Sequence, residues 1–133
     1  MSISILVPVY NESQNIDNFI KRLIPVLKKI DVLYEVIFVL DPSKDNSEEI
    51  ILDSIKNNSN IKLLKMSRRF GQPAAMLAGI NECSLDYAVL IDVDLQDPPE
   101  LIEEMYKLIK EGYETVLAQR SSKRGENYLR KSI

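Results

Sequence analysis

Short apolar runs alternate with longer segments of mixed polarity along most of this chain. Runs rich in β-branched and aromatic residues predict strands at positions 3–9, 32–40, 61–66, 87–92 and 114–118. Between them, apolar residues recur on one helix face, which predicts helices starting near positions 12, 48, 73 and 98. This alternation is typical of an α/β fold with a mostly parallel sheet flanked by helices.

Polar and proline residues predict where the helices begin and break. Asn11, with a glutamine three residues later, is predicted to cap the first helix. Pro25 lies inside that helix and is expected to kink or split it. Asp97 precedes two prolines and Glu100, so Asp97 is predicted to cap the last helix. Capping therefore accounts for Asp97 and Glu100 without a functional role.

The composition narrows the chemistry of this 133-residue chain, whose 45% apolar and 28% charged residues are typical of one globular domain. The absence of histidine and the single cysteine exclude a Ser-His-Asp triad, histidine or cysteine-cluster metal sites, and internal disulfides. No glycine has the spacing of a dinucleotide-binding or P-loop motif. An enzyme of this composition would use carboxylates, arginines, backbone groups and a hard metal ion.

Charge is distributed unevenly along the chain. The net charge is −3, yet the segment from Arg120 onward holds five basic residues against one acid. A basic segment on an acidic body suits contact with phosphate groups or an anionic membrane surface. Charge alone fits a solvated terminus equally well, and the acidic body argues against a nucleic-acid binder.

Polar side chains follow every predicted strand at its carboxyl end, where open α/β sheets bind ligands. Of the arginines, Arg68 and Arg120 suit phosphate oxygens or surface ion pairs. The tyrosine and first two acids suit a base or ribose, although turns and helix ends also explain them. In chain order these residues are Tyr10, Asn11, Glu12, Asp41, Arg68, Arg69, Asp92, Asp94 and Arg120.

The most specific of these candidates is the pair Asp92 and Asp94. Residues two apart in an extended chain project to the same side, so both carboxylates share one face. Carboxylate oxygens suit Mg²⁺ or Mn²⁺, and Gln96 offers an amide oxygen nearby. Such a metal would neutralise a diphosphate, whereas the alternative is that the aspartates only cap a loop.

Three short segments carry a resemblance to a known family. Residues 7–12 read V-P-V-Y-N-E, residues 67–71 read S-R-R-F-G, and residues 92–100 read D-V-D-L-Q-D-P-P-E. The first resembles the opening motif of the inverting family 2 glycosyltransferases with the GT-A fold. The others resemble the S-R-N-F-G and D-x-D-L-Q-D-P-P-E segments of their polyprenyl-phosphate branch. That branch includes dolichol-phosphate mannosyltransferases and bacterial undecaprenyl-phosphate glycosyltransferases.

The resemblance implies a role for each matching residue, and Arg68 joins them as a candidate phosphate contact. Catalysis would depend on Asp92, Asp94 and Arg120, with Arg120 near the phosphates. Asp94 would bind Mg²⁺ or Mn²⁺ with Gln96 as a second ligand. The nucleotide-sugar would contact Pro8, Tyr10, Glu12, Val39, Asp41, Arg68, Asp92 and Val93.

Two features depart from the family pattern. Leu40 and Pro42 replace an aspartate and a glycine beside Asp41, which puts the loop shape and base preference in question. Family members also continue further, so the resemblance implies a donor-binding part truncated at the C-terminus. Residues 1–120 would form a Rossmann-like GT-A nucleotide-sugar-binding domain, and residues 121–133 a basic tail leading toward the acceptor side.

The function implied by the resemblance is metal-assisted transfer of a sugar, with inversion, from a UDP- or GDP-linked donor to a polyprenyl phosphate at the membrane surface. The alternatives are transfer to a sugar hydroxyl in polysaccharide synthesis and a nucleotide-sugar-binding fragment without turnover. The chain lacks an apolar run that would span a bilayer and lacks a signal-peptide layout. The chain itself is expected to be cytoplasmic. The longer protein is expected at the cytoplasmic face of the membrane.

Overall fold

A computed structural model describes residues 1–69, 71–120 and 127–132, with side chains for 1–69 and 71–116. Six strands and four helices follow one another in these parts of the chain. The strands are β1 (Ser2–Val9), β2 (Leu33–Leu40), β3 (Ile61–Lys65), β4 (Tyr87–Leu90), β5 (Thr115–Arg120) and β6 (Asn127–Ser132). The helices are α1 (Ser13–Ile30), α2 (Ser47–Asn57), α3 (Gln72–Glu82) and α4 (Leu101–Lys110).

Four strands form one parallel sheet in the order β3-β2-β1-β4. The last residues of β1 and β2 lie side by side, because Val9 pairs with Leu40. Since every strand runs in the same direction, the carboxyl ends of all four meet at one edge. The predicted α/β fold with a mostly parallel sheet is confirmed.

Both faces of the central strands β1 and β2 are buried, as expected for parallel strands covered by helices. On one face, alternate residues of β1 and β2 pack against α1, α2 and α4, with Phe19 edge-on to Phe38 at 6.3 Å between ring centroids. On the other face, Leu6 and Val39 pack against α3. Gly79 permits this close approach, because a Cβ there would lie 3.1 Å from Val39.

Helix α1 differs from its predicted form at both Asn11 and Pro25. It runs from Ser13 to Ile30 as a single helix, so the predicted split at Pro25 is wrong. Five buried side chains anchor α1 to the sheet, and their burial outweighs the backbone hydrogen bond that proline removes. Asn11 does not cap the helix: it has φ 50°, and its Oδ1 accepts a hydrogen bond from the Lys44 backbone at 2.8 Å.

Helix α4 begins at Leu101, so the prediction that Asp97 caps it is wrong. Glu100 occupies the N-cap position without a capping hydrogen bond from its side chain. Instead its two carboxylate oxygens accept hydrogen bonds from Arg22 Nε at 3.1 Å and Nη2 at 2.7 Å. This bidentate pair ties α4 to α1 and accounts for Glu100 through tertiary contact rather than local sequence.

Strand β5 is confirmed as a strand but lies outside the parallel sheet. It pairs antiparallel with β6, Arg120 lying opposite Asn127, in a separate two-stranded sheet. The expectation that a fifth strand end joins the other four at one edge is therefore not met. Within the described residues, no helix is long and apolar enough to cross a membrane.

Candidate functional site

A cleft of about 270 Å³ opens at the carboxyl ends of β1, β2 and β4, with the N-terminal end of α3 as a further wall. It brings together residues that lie more than 80 positions apart in the chain, because parallel strands end at the same edge. The predicted residues that line it are Pro8, Tyr10, Glu12, Asp41, Asp92, Val93 and Asp94.

Asp41 lies at the floor of this cleft with one oxygen unsatisfied. Its backbone N–H donates to the Val9 carbonyl at 3.0 Å, which extends the β1–β2 pairing by one residue. Only 4% of Asp41 is exposed, and its Oδ2 accepts a 3.3 Å hydrogen bond from the Gly71 backbone. Its Oδ1 is buried without a partner among the described residues. A buried acceptor left unpaired is unfavourable by about 1–3 kcal/mol, so a ligand donor at this oxygen would be strongly favoured.

The loop after β2 holds the loop after β1 in place. Hydroxyl and carboxylate oxygens of the segment after β2 accept hydrogen bonds from three consecutive backbone N–H groups of the segment after β1. The pairs are Asn11 N to Ser43 Oγ (3.0 Å), Glu12 N to Ser47 Oγ (3.1 Å) and Ser13 N to Asp45 Oδ2 (3.1 Å). Burial raises the pKa of Asp45, but hydrogen bonds involving Ser47 and Ser13 outweigh it and lower the pKa to about 2. These contacts bring Tyr10 and Glu12 to the cleft.

Negative charge is concentrated around Asp92. Burial raises the pKa of this carboxyl, and the carboxylates of Asp94, Asp97 and Glu12 raise it further. A hydrogen bond from Gln72 Nε2 to Asp92 Oδ1, 2.6 Å long, acts in the opposite direction. The sequence analysis assigned Asp97 to helix capping alone and thereby missed its contribution to this acidic cluster.

The donor set suits a divalent cation whose other ligands come from substrate. Asp92 and Asp94 supply carboxylate oxygens to the cleft, and Mg²⁺ or Mn²⁺ prefers such oxygens together with phosphate oxygens. Across the described side chains, no group of three or more acidic or thiol residues could hold a metal by itself. Gln96 does not line the cleft, and its backbone N–H donates to Asp94 Oδ1 at 3.1 Å.

Two other predicted residues, Val39 and Arg68, do not line the cleft, and the prediction for a third, Arg120, falls on a side chain outside the described residues. Val39 is 1% exposed and packs under α3 in the core. The exposed Arg68 does not line the cleft. Arg120 ends β5 in the separate antiparallel sheet, and its side chain lies outside the described residues.

The cleft also contains two residues to which the sequence analysis assigned no role. Arg69, next to the phosphate candidate Arg68, places its guanidinium carbon 3.9 Å from the ring centroid of Tyr10. Gln72, at the start of α3, contacts Asp92. Both belong to the segment after β3, and this position beyond a strand end is the feature of the sequence that could have identified them. No local pattern, however, distinguishes Arg69 from Arg68.

Comparison with known proteins gives a consistent picture. The family model described as "Glycosyl transferase family 2" matches residues 4–133. The glycosyltransferase YkcC of Bacillus subtilis is 44% identical over 128 residues, covering 96% of this chain and 40% of that protein. An undecaprenyl-phosphate 4-deoxy-4-formamido-L-arabinose transferase of Pseudomonas fluorescens is 33% identical, covering 96% of this chain and 38% of that protein. The chain thus spans about two fifths of these relatives' length.

Two solved structures match the chain over a similar share of its length. S. aureus TarS 1–349 in complex with UDP is 25% identical with a TM-score of 0.66, covering 95% of this chain and 38% of that one. The mannosyltransferase PcManGT from Pyrobaculum calidifontis, in complex with GDP-Man and Mn²⁺, is 20% identical with a TM-score of 0.69. That match covers 92% of this chain and 35% of that one, and it establishes similarity of fold.

Proposed function

The chain belongs to glycosyl transferase family 2, and from this premise we propose that its cleft binds a nucleotide-diphosphate sugar and that the sugar is transferred, with inversion, to a polyprenyl phosphate. The family and the GT-A fold predicted from the motifs are confirmed. The observation that carries the proposal is a cleft lined by Asp41, Asp92 and Asp94, in which the buried Oδ1 of Asp41 has no hydrogen-bond partner among the described residues.

Asp41 reads the base of the donor. A carboxylate accepts hydrogen bonds, so Oδ1 selects a base that presents a ring N–H. Uracil and guanine have such an N–H, whereas adenine and cytosine carry a lone pair at the corresponding ring nitrogen. Tyr10 and Pro8 line the same part of the cleft and hold the nucleoside. UDP- and GDP-linked sugars are therefore the proposed donors, and the UDP complex of TarS supports the first.

The acidic pair serves the diphosphate end of the donor. We assign Asp92 and Val93 to the ribose and diphosphate. Asp94 would hold Mg²⁺ or Mn²⁺, and Gln96, although outside the cleft lining, stays the proposed second ligand. Such a cation would supply positive charge to stabilise the departing diphosphate. The clustered carboxylates that raise the pKa of Asp92 support this assignment, because a cation would relieve their repulsion. Arg68 and Arg120 remain proposed phosphate contacts.

The proposed transfer is a single displacement. A phosphate oxygen of the acceptor attacks the anomeric carbon, the bond from that carbon to the diphosphate oxygen breaks, and the nucleoside diphosphate leaves. This oxygen is already anionic near neutral pH, so the step requires no general base from the chain. The 33% identity to an undecaprenyl-phosphate transferase supports this acceptor. With a polyprenyl phosphate as acceptor, the reaction would take place at a membrane surface.

Binding of UDP, GDP, ADP and CDP, measured by isothermal titration calorimetry with Mn²⁺ present, tests the donor assignment. We expect UDP or GDP to bind at least about tenfold more tightly than ADP and CDP, because adenine and cytosine direct a ring lone pair, rather than an N–H, at the Asp41 carboxylate. Asp41→Asn should remove most of that difference, whereas Asp53→Asn, an exposed change on α2, should not. Equal binding of all four nucleotides, or of none, contradicts the assignment.

Product formation tests the acceptor. The protein would be incubated with a radiolabelled UDP- or GDP-sugar and either undecaprenyl phosphate in detergent or a soluble oligosaccharide. Labelled glycosyl lipid supports the proposal. Labelled oligosaccharide alone favours a sugar hydroxyl as acceptor, and donor binding without any product favours a binding module without turnover.

A further inference from the structure

Arg69 is a cation at the wall of an acidic cleft. Among the described residues that line the cleft, four carry carboxylates (Glu12, Asp41, Asp92 and Asp94) and Arg69 alone carries a positive charge. A nucleotide diphosphate brings several further negative charges into this space. Arg69 is therefore placed where its charge has the greatest effect on an anionic ligand.

The guanidinium of Arg69 packs against the ring of Tyr10. Its central carbon lies 3.9 Å from the centroid of the Tyr10 ring, a cation–π contact. Such a contact consumes none of the five N–H donors of an arginine. Within residues 1–69 and 71–116, no carboxylate forms an ion pair with Arg69, although four carboxylates line the same cleft.

The backbone near Arg69 is hydrogen-bonded to Asp41, the residue proposed to contact the base. Gly71, two residues further on, donates its N–H to Asp41 Oδ2 at 3.3 Å and has φ 88°, a conformation that favours glycine. Tyr10 follows β1 and Asp41 follows β2, and these strands are neighbours. A ligand that contacts the Tyr10 side chain would therefore lie close to the Arg69 guanidinium.

We propose that Arg69 is a phosphate-binding residue of the nucleotide site, donating a bidentate pair of N–H groups to a phosphate of the bound nucleotide. This inference rests on the proposed function. It assigns part of the phosphate affinity to the chain itself, so that nucleotide diphosphates bind even in the absence of a divalent cation. The guanidinium fork matches two oxygens of one phosphate, which a lysine ammonium cannot reproduce.

The test compares uridine, UMP and UDP in EDTA, or guanosine, GMP and GDP if guanine is the preferred base. For the wild type we expect affinity to increase along the series. Arg69→Asn should reduce the ratio of diphosphate to nucleoside affinity by about tenfold and leave nucleoside affinity unchanged. Arg69→Lys should recover only part of the ratio, and the wild-type ratio should fall with added NaCl more steeply than that of Arg69→Asn.

Two further variants complete the design. Lys21→Asn removes one positive charge from the exposed surface of α1 and should leave the ratio unchanged. Arg68→Asn tests the neighbouring arginine, and the proposal is overturned if this variant, rather than Arg69→Asn, loses the ratio. It is equally overturned if Arg69→Asn weakens nucleoside and diphosphate alike, or changes neither. If no nucleoside or nucleotide binds the wild type, with or without Mn²⁺, the proposed function itself has failed. Circular dichroism melting of each variant confirms that it is folded.

Discussion

The side-chain amide of Gln72 donates a 2.6 Å hydrogen bond to Oδ1 of Asp92, joining the first residue of α3 to the segment that follows β4. The two residues are 20 positions apart. Their contact links the segment that carries Arg69 to the segment that carries Asp94. The hydrogen bond also favours the charged form of Asp92, in opposition to its acidic neighbours.

Replacing Gln72 should therefore change the titration of Asp92. In Gln72→Leu we expect the pKa of Asp92 to rise above its already raised value, because the one hydrogen bond that lowers it is lost. Gln72→Glu should raise it further by adding a carboxylate. Carboxyl ¹³C NMR titration measures both values. An unchanged or lower pKa in Gln72→Leu would show that this hydrogen bond does not form in solution.

Asp94→Asn tests the proposed cation site with almost no change in side-chain size. We expect Mn²⁺ to raise the affinity of the wild type for UDP or GDP, and the variant to lose this enhancement, by about tenfold, because a neutral amide is a poorer ligand. Affinity in EDTA should not fall, since removing a negative charge reduces repulsion of the diphosphate. Asp53→Asn on α2 is the matched control. Retention of the full Mn²⁺ effect in Asp94→Asn would exclude Asp94 as a ligand.

Glu35 predicts how the stability of the fold depends on pH. This residue is 3% exposed, and its Oε1 accepts hydrogen bonds from Ser4 Oγ at 2.6 Å and from the backbone and hydroxyl of Ser84 at 3.0 Å each. Lys62 pairs with Oε2. Burial raises the pKa of Glu35, but these partners outweigh it and lower the pKa from 4.5 to about 2.

Because the folded-state pKa is lowered, the stabilisation is complete above the unfolded-state pKa and is lost as pH falls from about 4.5 toward 2. It amounts to about 3 kcal/mol. Glu35→Gln should flatten the pH dependence in this window and lower the free energy of unfolding at neutral pH by about 1–3 kcal/mol. Urea unfolding at a series of pH values measures both effects, with the exposed Glu49→Gln as control. Parallel curves for wild type and Glu35→Gln would contradict the assignment.

The close packing at Gly79 should make the contact between α3 and the sheet sensitive to a larger side chain. A Cβ at this position would lie 3.1 Å from Val39 and 3.4 Å from Leu6. Gly79→Val should therefore lower the free energy of unfolding by about 1–3 kcal/mol through overpacking. Asn81→Val, on an exposed position of the same helix, controls for the β-branched side chain. Chemical denaturation compares them, and a loss no larger than that of Asn81→Val would show that the contact can relax.

The fold class and the position of the cleft could be predicted from the amino-acid sequence. Apolar periodicity is a local property, so it predicted the four parallel strands and the helices between them to within a few residues. The direction of parallel strands then placed Tyr10, Asp41 and Asp92 at one edge, where the structure has the cleft. The direction of the strands alone was therefore enough to predict which strand-end segments line the cleft.

Which side chains reach the cleft depends on long-range contacts that the sequence pattern does not reveal. Arg68 and Arg69 are equivalent in the sequence, yet the link between Gly71 and Asp41 orients this segment so that Arg69 meets Tyr10. Likewise, α1 continues through Pro25 because its buried face packs on the sheet. Such outcomes depend on contacts between residues far apart in sequence, whose free energies outweigh the local preferences on which sequence patterns depend.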